Sequence, residues 1–133
     1  RFHDFIGMPA VPPGHSSDVA NDYVGGAWSD SNGHTEWVCG RAIHAGFTSV
    51  FTPNTKVLYH RDGIEYDIDV CSSREGRNQQ DPTFGIITSR SYHPGAVNVV
   101  LMDGSVRGVT SSVDSATWRS LNTRAGGEVI GDY

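Results

Sequence analysis

The sequence has a single lysine, two cysteines and no apolar run long enough to span a membrane. Its 133 residues include 10 Lys and Arg against 15 Asp and Glu, which gives a net charge of -5. Nucleic-acid phosphates and anionic membranes are bound by clustered basic side chains, and the sequence has no such cluster. We therefore expect no nucleic-acid partner and no membrane span.

The two cysteines, Cys39 and Cys71, lie outside any CxxC motif and away from histidines at zinc-ligand spacing. We predict a disulfide between them, worth about 3 to 4 kcal/mol if its geometry is unstrained. Such a disulfide would place the protein outside the cytoplasm, because disulfides persist in oxidising compartments. The alternative is two buried thiols that do not meet.

Residues 1–14 are apolar but interrupted by prolines, so we predict an extended arm ahead of a single globular domain at residues 15–133. Burying a large apolar side chain is worth about 1.5 to 3 kcal/mol, so the arm is expected to dock. The apolar residues concerned are Phe2, Phe5, Ile6, Met8 and Val11. The arm either packs on its own domain or completes the sheet edge of a neighbouring subunit.

Sixteen glycines, six prolines and many small polar residues are typical of a turn-rich protein. We predict a mainly β, α+β fold: an antiparallel sheet with hairpins, long loops and one short C-terminal helix. Strand patterns occur at residues 47–52, 56–60 and 64–70, with residues 61–63 as a hairpin loop. The helix is predicted within residues 111–121, with Ser112 or Asp114 as its N-cap.

The strand pattern at residues 64–70 alternates between apolar and acidic residues. Glu65, Asp67 and Asp69 are predicted to share one face, opposite Ile64, Tyr66, Ile68 and Val70. Paired carboxylates can perform acid and base chemistry or hold a cation. We favour the simpler interpretation, that the acidic row is the solvated face of a half-buried strand.

Residues 15–37 lack periodicity and predict one or more long loops. Within them, Asp30 and Asn32 precede Gly33 and resemble the start of a calcium loop. The pattern lacks the complete spacing and the distal glutamate, so it also fits an ordinary turn. Calcium is the one cofactor that the sequence suggests. Trp28 and Trp37 are interpreted as anchors of the loop, and alternatively as a platform for a glycan.

Residues 89–108, which we name the signature hairpin, have the clearest pattern in the chain. Two apolar runs, 97–102 and 106–109, flank Asp103 and Gly104, which together predict a two-residue type I′ turn. A second break precedes the first strand at His93-Pro94-Gly95. His93 and Asp103 can be imagined as a catalytic or metal pair, but a structural role for His93 explains the pattern better.

The C-terminal segment resembles a large bacterial family of unknown function that is greatly expanded in planctomycetes. The resemblance rests on a His, nine residues and Asp-Gly, and on shorter matches at residues 51–57 and 72–76. The matching positions in the C-terminal part are His93, Pro94, Gly95, Asn98, Asp103, Gly104, Trp118, Arg119, Thr123, Arg124, Gly126, Gly127 and Glu128.

Family members resemble type II secretion pseudopilins, with a cleavable leader, a long apolar N-terminal helix and an exported β-rich domain. The resemblance implies an extracellular or cell-surface protein. The 133 residues contain neither leader nor apolar helix, so we expect the arm at residues 1–14 to connect subunits instead.

We therefore expect a structural subunit of a pilus-like filament, a helical homo-oligomer assembled by docking of the arm, and not an enzyme. The alternative is an exported, non-polymerising module that binds calcium or a glycan. The sequence contains no Asn-x-Ser/Thr sequon, which leaves O-linked glycans on Ser and Thr open.

Overall fold

The computed structural model of the chain describes residues 2–5, 13–22, 27–29, 38–40, 42–72, 85–124 and 126–127. The elements within these residues confirm a mainly β, α+β fold with one short C-terminal helix. In chain order they are β1 Phe2–Phe5, α1 Ser16–Asp22, β2 Ala27–Ser29, α2 Ala42–Ala45, β3 Leu58–Arg61, β4 Ile64–Asp67, β5 Asp69–Ser72, β6 Gly85–Ile86, β7 Ala96–Val100, β8 Val106–Thr110 and α3 Ser115–Leu121.

Contacts between residues group the chain into two compact units. The first comprises Arg1–Thr48 and Lys56–Ile87, and the second comprises Ser49–Thr55 and Thr88–Tyr133. The short segment Ser49–Thr55 therefore belongs with the C-terminal part of the chain, although residues of the first unit precede and follow it.

Strand β1 lies inside the sheet of the first unit, which has the strand order β2-β1-β5-β6. It runs antiparallel to β2, with His3 opposite Trp28, and parallel to β5, with His3 opposite Val70. Phe2–Phe5 thus pair with strands of their own chain. The remaining predicted arm residues, Ile6, Met8 and Val11, lie outside the described residues.

The core of the first unit consists of branched aliphatic side chains, as expected for strands that are buried on both faces. Helix α1 packs against β3 and contributes a fully buried Val19. The buried aliphatic side chains of the remaining segments are Val57, Ile68, Val70, Ile86 and Ile87.

Strands β3 and β4 form a separate two-stranded hairpin around Asp62 and Gly63. Both residues have positive φ angles, 52° and 76°, and Arg61 lies opposite Ile64. This is the two-residue type I′ geometry that Asp-Gly favours. The hairpin predicted here is confirmed, with a loop of Asp62 and Gly63 only, since Arg61 belongs to β3.

The single strand predicted over residues 64–70 is wrong. The ladder is interrupted at Ile68, whose N–H donates to the carbonyl of Val57 at 2.9 Å. The N–H of Val57 in turn donates to the carboxylate of Asp67 at 2.8 Å, and not to the backbone of the facing strand. Asp69 is consequently buried, at 7% exposure, and Ile64 is exposed, so the three acids do not form one solvated face.

In the second unit, β7 and β8 pack one face against α3. Val97 and Val109, which are opposite each other, form a buried cluster with Trp118, which is 1% exposed. Further apolar side chains packed against this cluster are Val99, Val113 and Leu121. Trp118 and Leu121 therefore lie on the apolar face of α3, and Val113 packs against the cluster from just before the helix.

Helix α3 begins after Asp114, so the second of the two predicted N-caps is the one used. Its carboxylate accepts the N–H groups of Ala116 and Thr117, each at 3.0 Å. The bond from the Thr117 N–H, followed by the bond from Ala116, lowers the pKa of Asp114. The charged form of the carboxylate is therefore the form that caps the helix.

We expect this cap to be lost in acid. Because the pKa of Asp114 is lower in the folded than in the unfolded chain, its stabilisation is present above the unfolded pKa of about 4. The stabilisation disappears as the pH falls through the folded pKa. Thermal melts between neutral pH and strong acid should show a smaller decrease in Tm for Asp114→Asn, which caps without titrating, than for the wild type. Parallel decreases would contradict this role.

Candidate functional site

The signature residues His93 and Asp103 lie at opposite ends of β7. His93 precedes the strand and Asp103 follows it, so five residues of extended chain, about 17 Å long, lie between them. A catalytic or metal site cannot use both groups at this separation. Within the described residues, no group of three or more His, Cys, Asp or Glu side chains is placed to hold a metal ion.

Asp103 shapes the loop between β7 and β8. Its carboxylate accepts the Ser105 hydroxyl at 2.7 Å and the Ser105 N–H at 2.8 Å. These two bonds, in that order, lower the pKa of Asp103, with a smaller contribution from the charge of Arg107. The carboxylate is held ionised as a turn-forming acceptor, in an exposed position where it contacts its own loop.

The loop differs from the predicted type I′ turn. Gly104 has a φ of +83° but Asp103 does not have a positive φ, and Leu101 rather than Met102 begins the turn. The N–H of Gly104 donates to Leu101 and the N–H of Leu101 donates to Ser105, both at 2.9 Å. This is a three-residue loop with glycine in the left-handed position. Asp103 keeps a negative φ and stabilises the loop through its carboxylate, which binds Ser105.

Gly104 is the residue of this loop that cannot carry a side chain without strain. We expect Gly104→Ala to lower the free energy of unfolding by about 1 kcal/mol, because a Cβ is unfavourable at positive φ. Gly108→Ala is the matched control, since an added Cβ there meets Asn98 at an ordinary 3.8 Å. Urea unfolding should show little change for the control. Equal losses at both positions would contradict the turn assignment.

At the start of β7, the backbone rather than the imidazole of His93 closes the hairpin. The N–H of His93 donates to the Ser91 hydroxyl at 3.0 Å, while its side chain is exposed. Gly95, with a φ of +77°, presents its carbonyl to the N–H of Ser111 at 2.8 Å. Pro94 lies between them and is also exposed. The carbonyl of Gly95 therefore closes the hairpin at this end, and His93 contributes its backbone N–H.

Asn54 connects three segments of the second unit, a role that sequence reasoning missed. Its N–H donates to Ser89, its side-chain oxygen accepts the N–H of Ser91, and its amide nitrogen donates to the Ser111 hydroxyl. The distances are 2.8, 2.8 and 2.9 Å. A φ of 61° places Asn54 in the left-handed region, which Asn tolerates better than most residues. The sequence signal for this role is Pro53-Asn54, a dipeptide typical of turns.

Two side chains of α3 bind the other end of the segment Ser49–Thr55. The indole N–H of Trp118 donates to the carbonyl of Phe51 at 2.8 Å, and the guanidinium of Arg119 donates to Val50 at 3.0 Å. The predicted strand at residues 47–52 is therefore wrong, because these carbonyls accept side-chain donors. These contacts and those of Asn54 join the segment Ser49–Thr55 to α3 and to both ends of the β7–β8 hairpin region, at Ser91 and Ser111.

The first unit contains a separate aromatic cluster. Tyr59 and Tyr66 are opposite each other on β3 and β4, and the ring of Trp28 lies 5.6 Å and 5.0 Å from theirs. The guanidinium of Arg61 lies 5.3 Å from the centre of a Trp28 ring, within cation–π distance. Trp28 lies in strand β2 and not in the predicted loop, and its ring packs that strand against the β3–β4 hairpin.

The predicted disulfide is not formed. Cys71 lies in β5 with 4% exposure, opposite Gly85 of β6, and Cys39 is half-buried; neither is in a disulfide. The thiol of Cys71 occupies a core position, where cysteine behaves as a small apolar residue. The predicted calcium ligands, Asp30 and Asn32, and the second predicted anchor, Trp37, lie outside the described residues.

These observations define a mainly β protein whose signature residues form the turns and closures of a hairpin. The family described as "Protein of unknown function (DUF1559)" matches residues 15–116, about three quarters of the chain, including His93 and Asp103-Gly104. The chain belongs to this family. No curated protein and no solved structure matches it. Among the described residues, no helix is both long and apolar enough to cross a membrane.

Proposed function

We propose that the chain is a structural subunit of an extracellular, pilus-like filament, in which β1 of one copy is exchanged into the sheet of the next. The observation that carries the proposal is the position of β1 between β2 and β5. Its ladders join it to residues more than twenty and sixty positions away. A second copy's β1 can form the same ladders, since exchange of identical elements requires no new contacts.

Exchange of β1 explains how an apolar N-terminal segment connects subunits. Each subunit gives one strand and receives one, a head-to-tail contact that propagates as a fibre when it does not close into a ring. The apolar residues Phe2, Phe5, Ile6, Met8 and Val11 supply side chains that favour docking over exposure. The resemblance to pseudopilins supports export and an extracellular or cell-surface location, where O-linked glycans on Ser and Thr are compatible with assembly.

The test locks β1 into its own chain. His3 and Val70 are opposite each other on parallel strands about 4.8 Å apart, within reach of a disulfide. The variant carries His3→Cys and Val70→Cys, with Cys39→Ser and Cys71→Ala to prevent other pairings. Negative-stain microscopy should show filaments from the reduced variant and none from protein oxidised as a monomer.

The control is the same background with His3→Cys alone, which has no intramolecular partner and should form filaments after identical oxidation. Filaments of equal abundance from the locked and reduced variants would overturn the exchange of β1. Absence of filaments from the wild type under all conditions would overturn the filament itself.

The aromatic cluster supports the glycan-binding form of a second candidate function, an exported module that the sequence predicts to bind a glycan or calcium. Trp28, Tyr59 and Tyr66 are half-buried aromatic residues, and Arg61 adds a hydrogen-bond donor beside them. Binding to a panel of oligosaccharides with and without calcium tests this candidate. Saturable binding that Tyr59→Ala weakens, by a protein that remains monomeric, would favour the module over the filament subunit.

A further inference from the structure

Within the described part of the chain, no strand pairs with the outer edge of β7. The bonds from Ser111 to Gly95 and from Leu101 to Ser105 fix which residues of the hairpin face each other. By the alternation of antiparallel ladders, odd-numbered residues of β7 direct their N–H and C=O groups toward β8. Ala96, Asn98 and Val100 therefore direct theirs outward, and the described sheet has no further strand beyond β7.

The two edges of this hairpin are not equivalent. Strand β7 reads Ala-Val-Asn-Val-Val, with no charge, no proline and no glycine. Strand β8 contains Arg107 and Gly108, and both features discourage pairing at an edge. Asn98 is exposed and Val100 is 71% exposed, and no strand of the described residues covers the β7 edge. Unprotected edges of this composition pair with further strands.

We infer that the β7 edge pairs with β7 of a second copy, in an antiparallel ladder centred on Asn98. A two-fold axis at this residue places Asn98 opposite Asn98 and Ala96 opposite Val100. Every residue in these pairs directs its N–H and C=O groups outward, so each of the three pairs can exchange two backbone hydrogen bonds, about six in total. It also brings no charge together, although each chain carries a net charge of -5.

The occupant is a second copy because β7 is self-complementary in both hydrogen bonding and charge. The side chain of Val100, which is 71% exposed on β7 itself, loses water when the second strand arrives. A five-residue ladder buries less than the roughly 1,200 Å² of a stable interface. The contact is therefore weak between free subunits and strengthened when subunits are linked in a larger assembly.

This contact is separate from the exchange of β1, and the experiment keeps the two apart. Sedimentation equilibrium is performed on the full chain with β1 locked by the oxidised His3→Cys and Val70→Cys pair. In that background, Asn98→Lys and Asn98→Asp should each raise the dimer dissociation constant by about fivefold, since like charges then face each other across the axis. An equimolar mixture of the two variants should restore dimerisation, because opposite charges meet.

Gly108→Lys is the matched control, because it adds the same charge opposite Asn98 on the same face, but on β8. It should leave the dissociation constant within about twofold of the locked parent. The two added charges are farther apart on the β8 strands, and salt screens their repulsion at that distance. Hydrogen exchange gives an independent readout. The amides of Ala96, Asn98 and Val100 should gain protection with protein concentration, and those of Val106 and Gly108 should not. A locked parent that is monomeric throughout, or a mixture that fails to dimerise, would overturn the β7 contact.

Discussion

Replacing Trp118 with alanine is expected to lower the free energy of unfolding of the second unit by about 3 to 5 kcal/mol. The indole is 1% exposed and fills the space between α3 and the opposed pair Val97 and Val109. Its removal leaves a cavity that backbone elements close only in part. It also leaves the carbonyl of Phe51 without its donor, which is 2.8 Å away in the folded chain.

The matched variant Trp118→Phe separates packing from hydrogen bonding. Phenylalanine retains most of the buried apolar surface but has no N–H, so we expect a loss of about 1 to 3 kcal/mol. Urea unfolding followed by far-ultraviolet circular dichroism measures both variants. A loss below about 1 kcal/mol for Trp118→Ala would contradict a central position for this side chain. Equal losses for both variants would assign the whole effect to the bond with Phe51.

The elements that sequence reasoning predicted correctly depend on signals between neighbouring residues. Asp114 precedes an apolar stripe and caps α3, and the two Asp-Gly pairs mark two hairpins. Even here the same dipeptide gives two geometries. Asp62-Gly63 adopts two positive φ angles, whereas Asp103 keeps a negative one and binds Ser105 through its carboxylate. The two-residue loop at Asp62-Gly63 adopts one geometry and the three-residue loop that ends at Gly104 adopts the other. The Asp-Gly dipeptide alone does not specify the length of the loop.

The elements that sequence reasoning missed depend on partners distant along the chain. The alternating pattern at residues 47–52 is typical of a strand, but the carbonyls of Val50 and Phe51 accept donors from α3. The pattern at residues 64–70 is interrupted because the N–H of Val57 donates to the carboxylate of Asp67 and not to the carbonyl of Ile68, the partner that the register of the ladder predicts. Neither partner follows from periodicity. A tertiary contact overrides local propensity in both cases.

Within the candidate site, the sequence identified the hairpin residues and missed what connects them. His93 and Asp103 are prominent because of their side-chain chemistry, yet they occupy opposite ends of one strand. Helix α1 was missed for a related reason. Asp18 accepts the N–H of His15 at 3.0 Å, a capping contact that was obscured by the surrounding glycines and acids. Short polar side chains bond to the backbone both in turns and in helix caps, so the presence of Asp and Ser at residues 16–18 does not distinguish a turn from a helix start.

Asn54→Ala is expected to lower the free energy of unfolding by about 2 to 3 kcal/mol. Alanine removes the acceptor for the N–H of Ser91 and the donor for the hydroxyl of Ser111, each worth about 1 kcal/mol. It also places a Cβ without compensating hydrogen bonds at a φ of 61°, which costs about 1 kcal/mol more. The result follows from Asn54 joining three segments that are distant in the chain.

Two further substitutions divide this loss into its parts. Asn54→Gly relieves the backbone strain but makes neither side-chain bond, so its loss should be about 1 to 2 kcal/mol. Asn54→Asp retains an acceptor for Ser91, and the Ser111 hydroxyl can donate to it, so it should lose least. Urea unfolding gives the order, and hydrogen exchange at the Ser91 amide should accelerate in Asn54→Ala and Asn54→Gly but not in Asn54→Asp. If Asn54→Asp is as unstable as Asn54→Ala, the side-chain bonds do not hold these segments together.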